Sequence, residues 1–211
     1  MTEIVFVRHG QTRSNIERLL HGRTDEPLNR LGLWQADRVA ERVSSLGTMD
    51  VLYSSPLSRA RVTAERIADL CGLTPHFLDD LAEFHFGDME GFTIDAIQTD
   101  HPEIYAKMFD FSDTAFRFPN GESRREFHDR VIGAVREIIA SHSEQRLAVV
   151  AHEGVITSAV TQLTGADPND WTKYRLANCS ITTVVMNGHE TYEVTCWNDV
   201  AHLEGGDSPC D

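Results

Sequence analysis

Two stretches of the chain end an apolar run in a histidine followed closely by glycine. The first is Ile4-Val5-Phe6-Val7-Arg8-His9-Gly10-Gln11-Thr12, and the second is Ala148-Val149-Val150-Ala151-His152-Glu153-Gly154-Val155-Ile156. Two histidines at two strand ends can converge on one crevice, and Arg8 makes that crevice cationic. A guanidinium offers forked donors that match phosphate oxygens. The first amides of a following helix point at an anion. Imidazole, guanidinium and free amides together suit a phosphate better than a carbonyl.

These side chains need a scaffold that delivers them to one edge. Ile4–Val7 and Leu147–Ala151 read as short buried strands. In open α/β sheets ligands bind at the carboxyl ends of the strands, and Gly10 is expected to let a ligand approach the backbone. Ser14–Leu20 reads as a short helix, and the turn-rich segment from His21 to Leu28 as a loop over the site. Asn29 is placed to cap a helix bearing Ala36, Val39, Ala40, Val43 and Leu46, with Gly47 at its end. Asp50–Ser54 is a second strand. Pro56 is read as opening a helix whose apolar face carries Ala60, Ala64, Ile67 and Ala68, stopped by Gly72. Strand, helix and strand in succession predict a parallel βαβ arrangement.

Pro75–Leu78 is a further short strand. From Asp79 to Phe118 the pattern becomes irregular and aromatic, with short helices over Ile94–Thr99 and Glu103–Phe109, and reads as a cap over the strand ends. Phe127, Val131, Val135, Ile138 and Ile139 mark an amphipathic helix, and Val155–Leu163 another, ending near Gly165. Ile181–Met186 and Tyr192–Trp197 form a strand pair around Asn187-Gly188. The tail from Gly205 to Pro209 is expected to fray.

Strand-Arg-His-Gly-x-Thr, as it stands in Arg8-His9-Gly10-Gln11-Thr12, resembles the signature of the histidine phosphatase superfamily, the phosphoglycerate mutase-like proteins. The partners follow in that family's order: Ser54-Ser55-Pro56-Leu57-Ser58-Arg59-Ala60 with Thr63-Ala64-Glu65, Leu81-Ala82-Glu83 with Gly87 and Glu90-Gly91, Asn120-Gly121-Glu122-Ser123, and His152. The resemblance runs from about Glu3 to about Leu203. It implies a three-layer α/β/α sandwich with a mostly parallel sheet, flanking helices and a small cap. The expected organisation is one domain over 1–211, with a cap-like excursion at about 84–118.

The same resemblance implies site roles. His9 would attack phosphorus and form a phosphohistidine, splitting one hard step into two. Arg8 and Arg59 would clamp the oxyanion, and His152, as imidazolium or as a neutral donor, would be a fourth phosphate ligand. Glu83 would protonate the leaving alcohol and then activate water, with a pKa raised to suit; Glu90 competes for that role but reads as structural. Gly10, Thr12, Asn15, Gly22 and Arg23 match positions that contact phosphate or substrate, although Thr12 and Asn15 also suit helix capping. Glu153 departs from the small residue usual after the second histidine. It is expected either to select a substrate bearing a cationic group, such as phosphoserine, or to pair with an arginine. Met89, where relatives often carry Trp, is a packing change. His85 and His202 are open, each able to reach the site or to pack elsewhere.

The bulk properties bound the function. The chain has 211 residues, 41% hydrophobic and 25% charged, with a formal net charge of −14. That acidity argues against nucleic acid or anionic membrane as a partner, so a phosphate site must be a local cationic pocket. Cys71, Cys179, Cys196 and Cys210 have neither CxxC nor zinc-like spacing and read as free thiols. With no leader and no membrane-length apolar run, the protein is expected in the cytoplasm. His152-Glu153 lacks the second histidine of HExxH, so no metal and no cofactor are expected. The leading reading is a metal-independent phosphomonoesterase acting on a small phosphorylated metabolite. Cofactor-dependent phosphoglycerate mutase is the alternative, disfavoured by the short interval between Glu83 and His152; a noncatalytic phospho-ligand module is a third. A homodimer is the family-level expectation.

Overall fold

The computed structural model describes residues 1–168, 173–187 and 191–204. Its strands and helices, in chain order, are β1 (Thr2–Arg8), α1 (Arg13–Glu17), α2 (Arg30–Ser45), β2 (Val51–Ser54), α3 (Ser58–Cys71), β3 (Pro75–Phe77), α4 (Ile94–Asp100), α5 (Pro102–Met108), α6 (Arg124–Ser141), β4 (Arg146–Ala151), α7 (Glu153–Thr164), β5 (Ile181–Asn187) and β6 (Thr191–Asp199). Six strands form one sheet in the order β3-β2-β4-β1-β5-β6. The first four in that order run parallel, and β5 joins β1 antiparallel. This is the mostly parallel α/β sandwich that the sequence predicts.

The period-two alternation of β1 explains the layers. Ile4 and Phe6 pack with Leu147 and Val149 against α6 and α7. Val5 and Val7 pack with Ala148 and Val150 against α2 and α3. Both faces are thus buried, as parallel strands with near-continuous apolar runs require. The ends of β1 and β4 lie side by side: Arg8 is in register with Ala151, and His9 N–H donates to the Ala151 carbonyl at 3.0 Å. Sheet register alone therefore makes the two histidines neighbours.

A third apolar cluster covers the strand ends. Met89, Ile97, Met108, Phe116 and Phe118 are buried there, with Phe84, Phe86 and Phe92 packed against them. Arg124, from the first turn of α6, pins this cap. Its Nη2 donates to Met108 O at 2.6 Å, its Nη1 to Asp113 O at 2.9 Å, and its guanidinium lies 4.8 Å from the centre of the Phe116 ring. Ser123 and Glu126 close a reciprocal capping box at the same helix start.

One local expectation needs correction, and one lies partly outside the described residues. Pro56 does not open α3; Leu57 is the N-cap and Ser58 the first helical residue, with Ser55 Oγ accepting from Leu57 N–H at 3.3 Å. The predicted hairpin strands pair antiparallel, but Gly188 at their turn lies outside the described residues, as do the tail from Gly205 and Cys210.

Candidate active site

The cleft between strand ends and cap has a volume of about 700 Å³, and Arg8, His9, Asn15, Gly22, Arg59, Glu83, Glu153 and Gly154 are among its lining residues. His9 is 3% exposed, and its Nδ1 lies 2.7 Å from the Gly10 carbonyl. A carbonyl can only accept, so Nδ1 carries the proton and Nε2 keeps its lone pair. Burial, reinforced by Arg59 and Arg8, holds the His9 pKa well below the ordinary imidazole value. The ring is therefore neutral, as a nucleophile must be.

His152 sits beside it, with ring centroids 5.0 Å apart. Both of its ring nitrogens meet protein groups. Arg59 Nε donates to its Nδ1 at 3.3 Å, its Nε2 lies 2.8 Å from Ser55 Oγ, and it is not among the residues lining the cleft. The accepting Nδ1 leaves the proton on Nε2. Burial and the adjacent Arg59 push its pKa down, so of the two expected forms the structure carries the neutral one. In this arrangement His152 braces Arg59 and backs His9.

Arg59 is 1% exposed in the first turn of α3. Its Nη2 donates to Gly22 O at 2.7 Å and its Nη1 to Thr24 O at 2.9 Å. Burial lowers its pKa to about 10, which still leaves a cation at neutral pH. The loop it holds is tied from the other side by Glu90, whose carboxylate accepts from Arg23 N–H at 2.8 Å and Thr24 N–H at 2.7 Å. Glu90 is thus committed to the loop backbone. His21, which the sequence places in the loop over the site without a role, lines the cleft 3.5 Å from Arg59 Nη1 and 3.0 Å from Glu26. Burial and Arg59 take its pKa to about 4.

Arg8 meets Glu153 at 3.1 Å and donates to the Leu176 carbonyl. Glu153 also binds Arg175 at 2.9 Å. Of the two expectations for Glu153, pairing with arginine is the one present, and both carboxylate oxygens are engaged. Glu83 accepts from Phe84 N–H at 2.9 Å and from Gly154 N–H, in the first turn of α7, at 3.2 Å. Burial nevertheless raises its pKa above the ordinary carboxylate value.

The expected substrate contacts divide. Asn15 lines the cleft, with Oδ1 accepting from Asn178 Nδ2 at 3.0 Å; Asn178, also lining it, was not foreseen. Thr12 is fully buried as the N-cap of α1, the capping alternative. Gly22 lines the cleft, but Arg23 is not among the lining residues. Gly10 needs correction. A Cβ there would stand 2.4 Å from Gly32 O in α2, and its amide already donates to Thr63 Oγ1 at 3.2 Å. Its lack of a side chain accommodates a helix, not a ligand. His85 lies 3.9 Å from Glu90, and His202 faces the Cys179 carbonyl at 2.9 Å behind the site. No cluster of three or more potential metal-ligating side chains occurs among the described residues, and no helix among them is long and apolar enough to cross a membrane.

The chain is 38% identical over 204 residues to phosphoglycerate mutase-like protein 4 of Arabidopsis thaliana, covering 96% of this chain and 87% of that one. It is 34% identical over 206 residues to a metal-independent phosphoserine phosphatase of the same plant, covering 96% and 84%. In structure it is similar to the phosphoserine phosphatase of Entamoeba histolytica in complex with phosphoserine, with a TM-score of 0.86, 28% identity, and coverage of 96% and 100%. The sequence model of the histidine phosphatase superfamily (branch 1) matches residues 4–200, and the chain belongs to that superfamily.

Proposed function

We propose that the chain is a phosphomonoesterase that hydrolyses small phosphate esters through a phosphohistidine on Nε2 of His9. The observation that carries this reading is the 2.7 Å bond from His9 Nδ1–H to the Gly10 carbonyl, which fixes the tautomer with a free lone pair on Nε2. In the first step that lone pair forms an N–P bond while the ester P–O bond breaks, and the leaving oxygen takes the proton of Glu83. In the second, Glu83 accepts a proton from water as its oxygen attacks phosphorus. The N–P bond then breaks, and its electron pair returns to Nε2. Arg8 and Arg59 offset the charge on the non-bridging oxygens. His152, neutral and hydrogen-bonded, keeps Arg59 in place.

The phosphatase names among the relatives favour hydrolysis, and the short interval between Glu83 and His152 agrees. The free thiols of Cys71, Cys179 and Cys196 fit a reducing compartment such as the cytoplasm. The test is phosphate release in the presence of a chelator by wild type and His9→Ala. Release should persist in chelator and fall by at least about a thousandfold in the variant. Isomerisation of 3-phosphoglycerate in the presence of its bisphosphate, without release, would replace this reading with a mutase.

A further inference from the structure

We infer that the alcohol released by this enzyme is apolar: the preferred substrate is a phosphomonoester of an extended alkyl or aryl alcohol, not an amino-acid or glycerate phosphate. The inference rests on the phosphatase reading and names the substrate class of the same cleft.

The cleft is divided by chemistry. Its reacting groups come from the strand ends and from Glu83. Much of the rest comes from the cap, where Ile94, Met108, Phe109, Phe111, Phe86 and Phe118 line the space. The aromatic wall is built, not incidental. Phe86 and Phe118 pack edge-to-face at 5.5 Å, and Phe84 joins Phe86 at 5.0 Å and Phe127 at 5.1 Å. Phe109 is 39% exposed, one of the few large apolar side chains so open to solvent, and it faces the cleft. The whole cleft, its cationic end included, measures about 700 Å³, which leaves room for an alcohol larger than serine.

The polar groups tell against an aminated ester. An ammonium needs an unengaged carboxylate, and the carboxylates lining the cleft are Glu83 and Glu153. Glu83 is bound by the amides of Phe84 and Gly154, and Glu153 by Arg8 and Arg175. Arg124 spends its guanidinium on the cap carbonyls. Arg18 and Arg175, exposed residues lining the cleft, are cations that a substrate carboxylate could reach, so the test includes a glycerate ester.

The experiment is kcat/KM for ethyl, butyl, hexyl and octyl phosphate, below their micellar concentrations, with phosphoserine and 3-phosphoglycerate alongside. The primary alcohols share one leaving-group basicity, so chain length isolates burial from chemistry. We expect kcat/KM to climb about three- to fourfold per methylene and octyl phosphate to exceed both phosphoserine and 3-phosphoglycerate by roughly a hundredfold. Phe109→Ser should flatten the climb. A flat alkyl series, or either metabolite ester matching octyl phosphate, overturns the inference and leaves the phosphatase reading intact. Release from none of the esters overturns both.

Discussion

At the scale of single residues, the site works by pushing two ionisable groups in opposite directions. Burial lowers the His9 pKa and raises that of Glu83, the opposite displacements that the proposed roles of nucleophile and acid call for. On the proposed mechanism activity should fall as pH drops through the depressed His9 value, because the attacking nitrogen becomes protonated. It should also fall as pH rises through the raised Glu83 value, because the proton donor is lost. Glu83→Gln should cost an alkyl phosphate about 10²- to 10⁴-fold in kcat/KM. With p-nitrophenyl phosphate, whose leaving group needs no proton, the same variant should release a burst of one nitrophenolate per site before a slow steady state, since the base for the second step is missing. Equal losses on both esters without a burst would remove Glu83 from the acid–base role.

At the scale of elements, His9 is aligned by contact between backbones. The turn after β1 docks on the start of α2, where Gly10 meets Gly32 and Gln11 O accepts from Asn29 N–H at 3.0 Å. A Cβ at Gly10 would strike a carbonyl that cannot swing aside. Gly10→Ala should therefore destabilise the fold by about 3 kcal/mol, measured by denaturant unfolding. Wild-type stability in that variant would mean that the turn can leave α2. The sequence carried the elements well because their signals are local: a helical period in Phe127, Val131 and Val135, a β-branched and aromatic run at Ile4–Val7, a left-handed glycine stop at Gly72. It misjudged Gly10 because the partner lies twenty-two positions away, and glycine at a strand end looks the same whether a ligand or a helix approaches it.

At the scale of the whole molecule, the family motifs identified which residues gather, while the charge balance among them depended on the fold. Motif order brings His9, Arg59, Glu83 and His152 together, but the engagement of both His152 nitrogens, the tethering of the loop by Glu90 and the span of Glu153 between Arg8 and Arg175 are tertiary facts that no spacing encodes. That last span bears on turnover. In a chain of formal charge −14, Glu153 acts as a resident counter-ion. On the proposed reaction, Arg8 would not be left bare when the product anion departs, because a carboxylate 3.1 Å away already holds it. Leaving would then be an exchange of one anion for another, which should limit inhibition by the inorganic phosphate released. Competitive inhibition by phosphate should accordingly be weak in the wild type and about tenfold tighter in Glu153→Gln; an unchanged inhibition constant would mean that the carboxylate has no part in clearing the product.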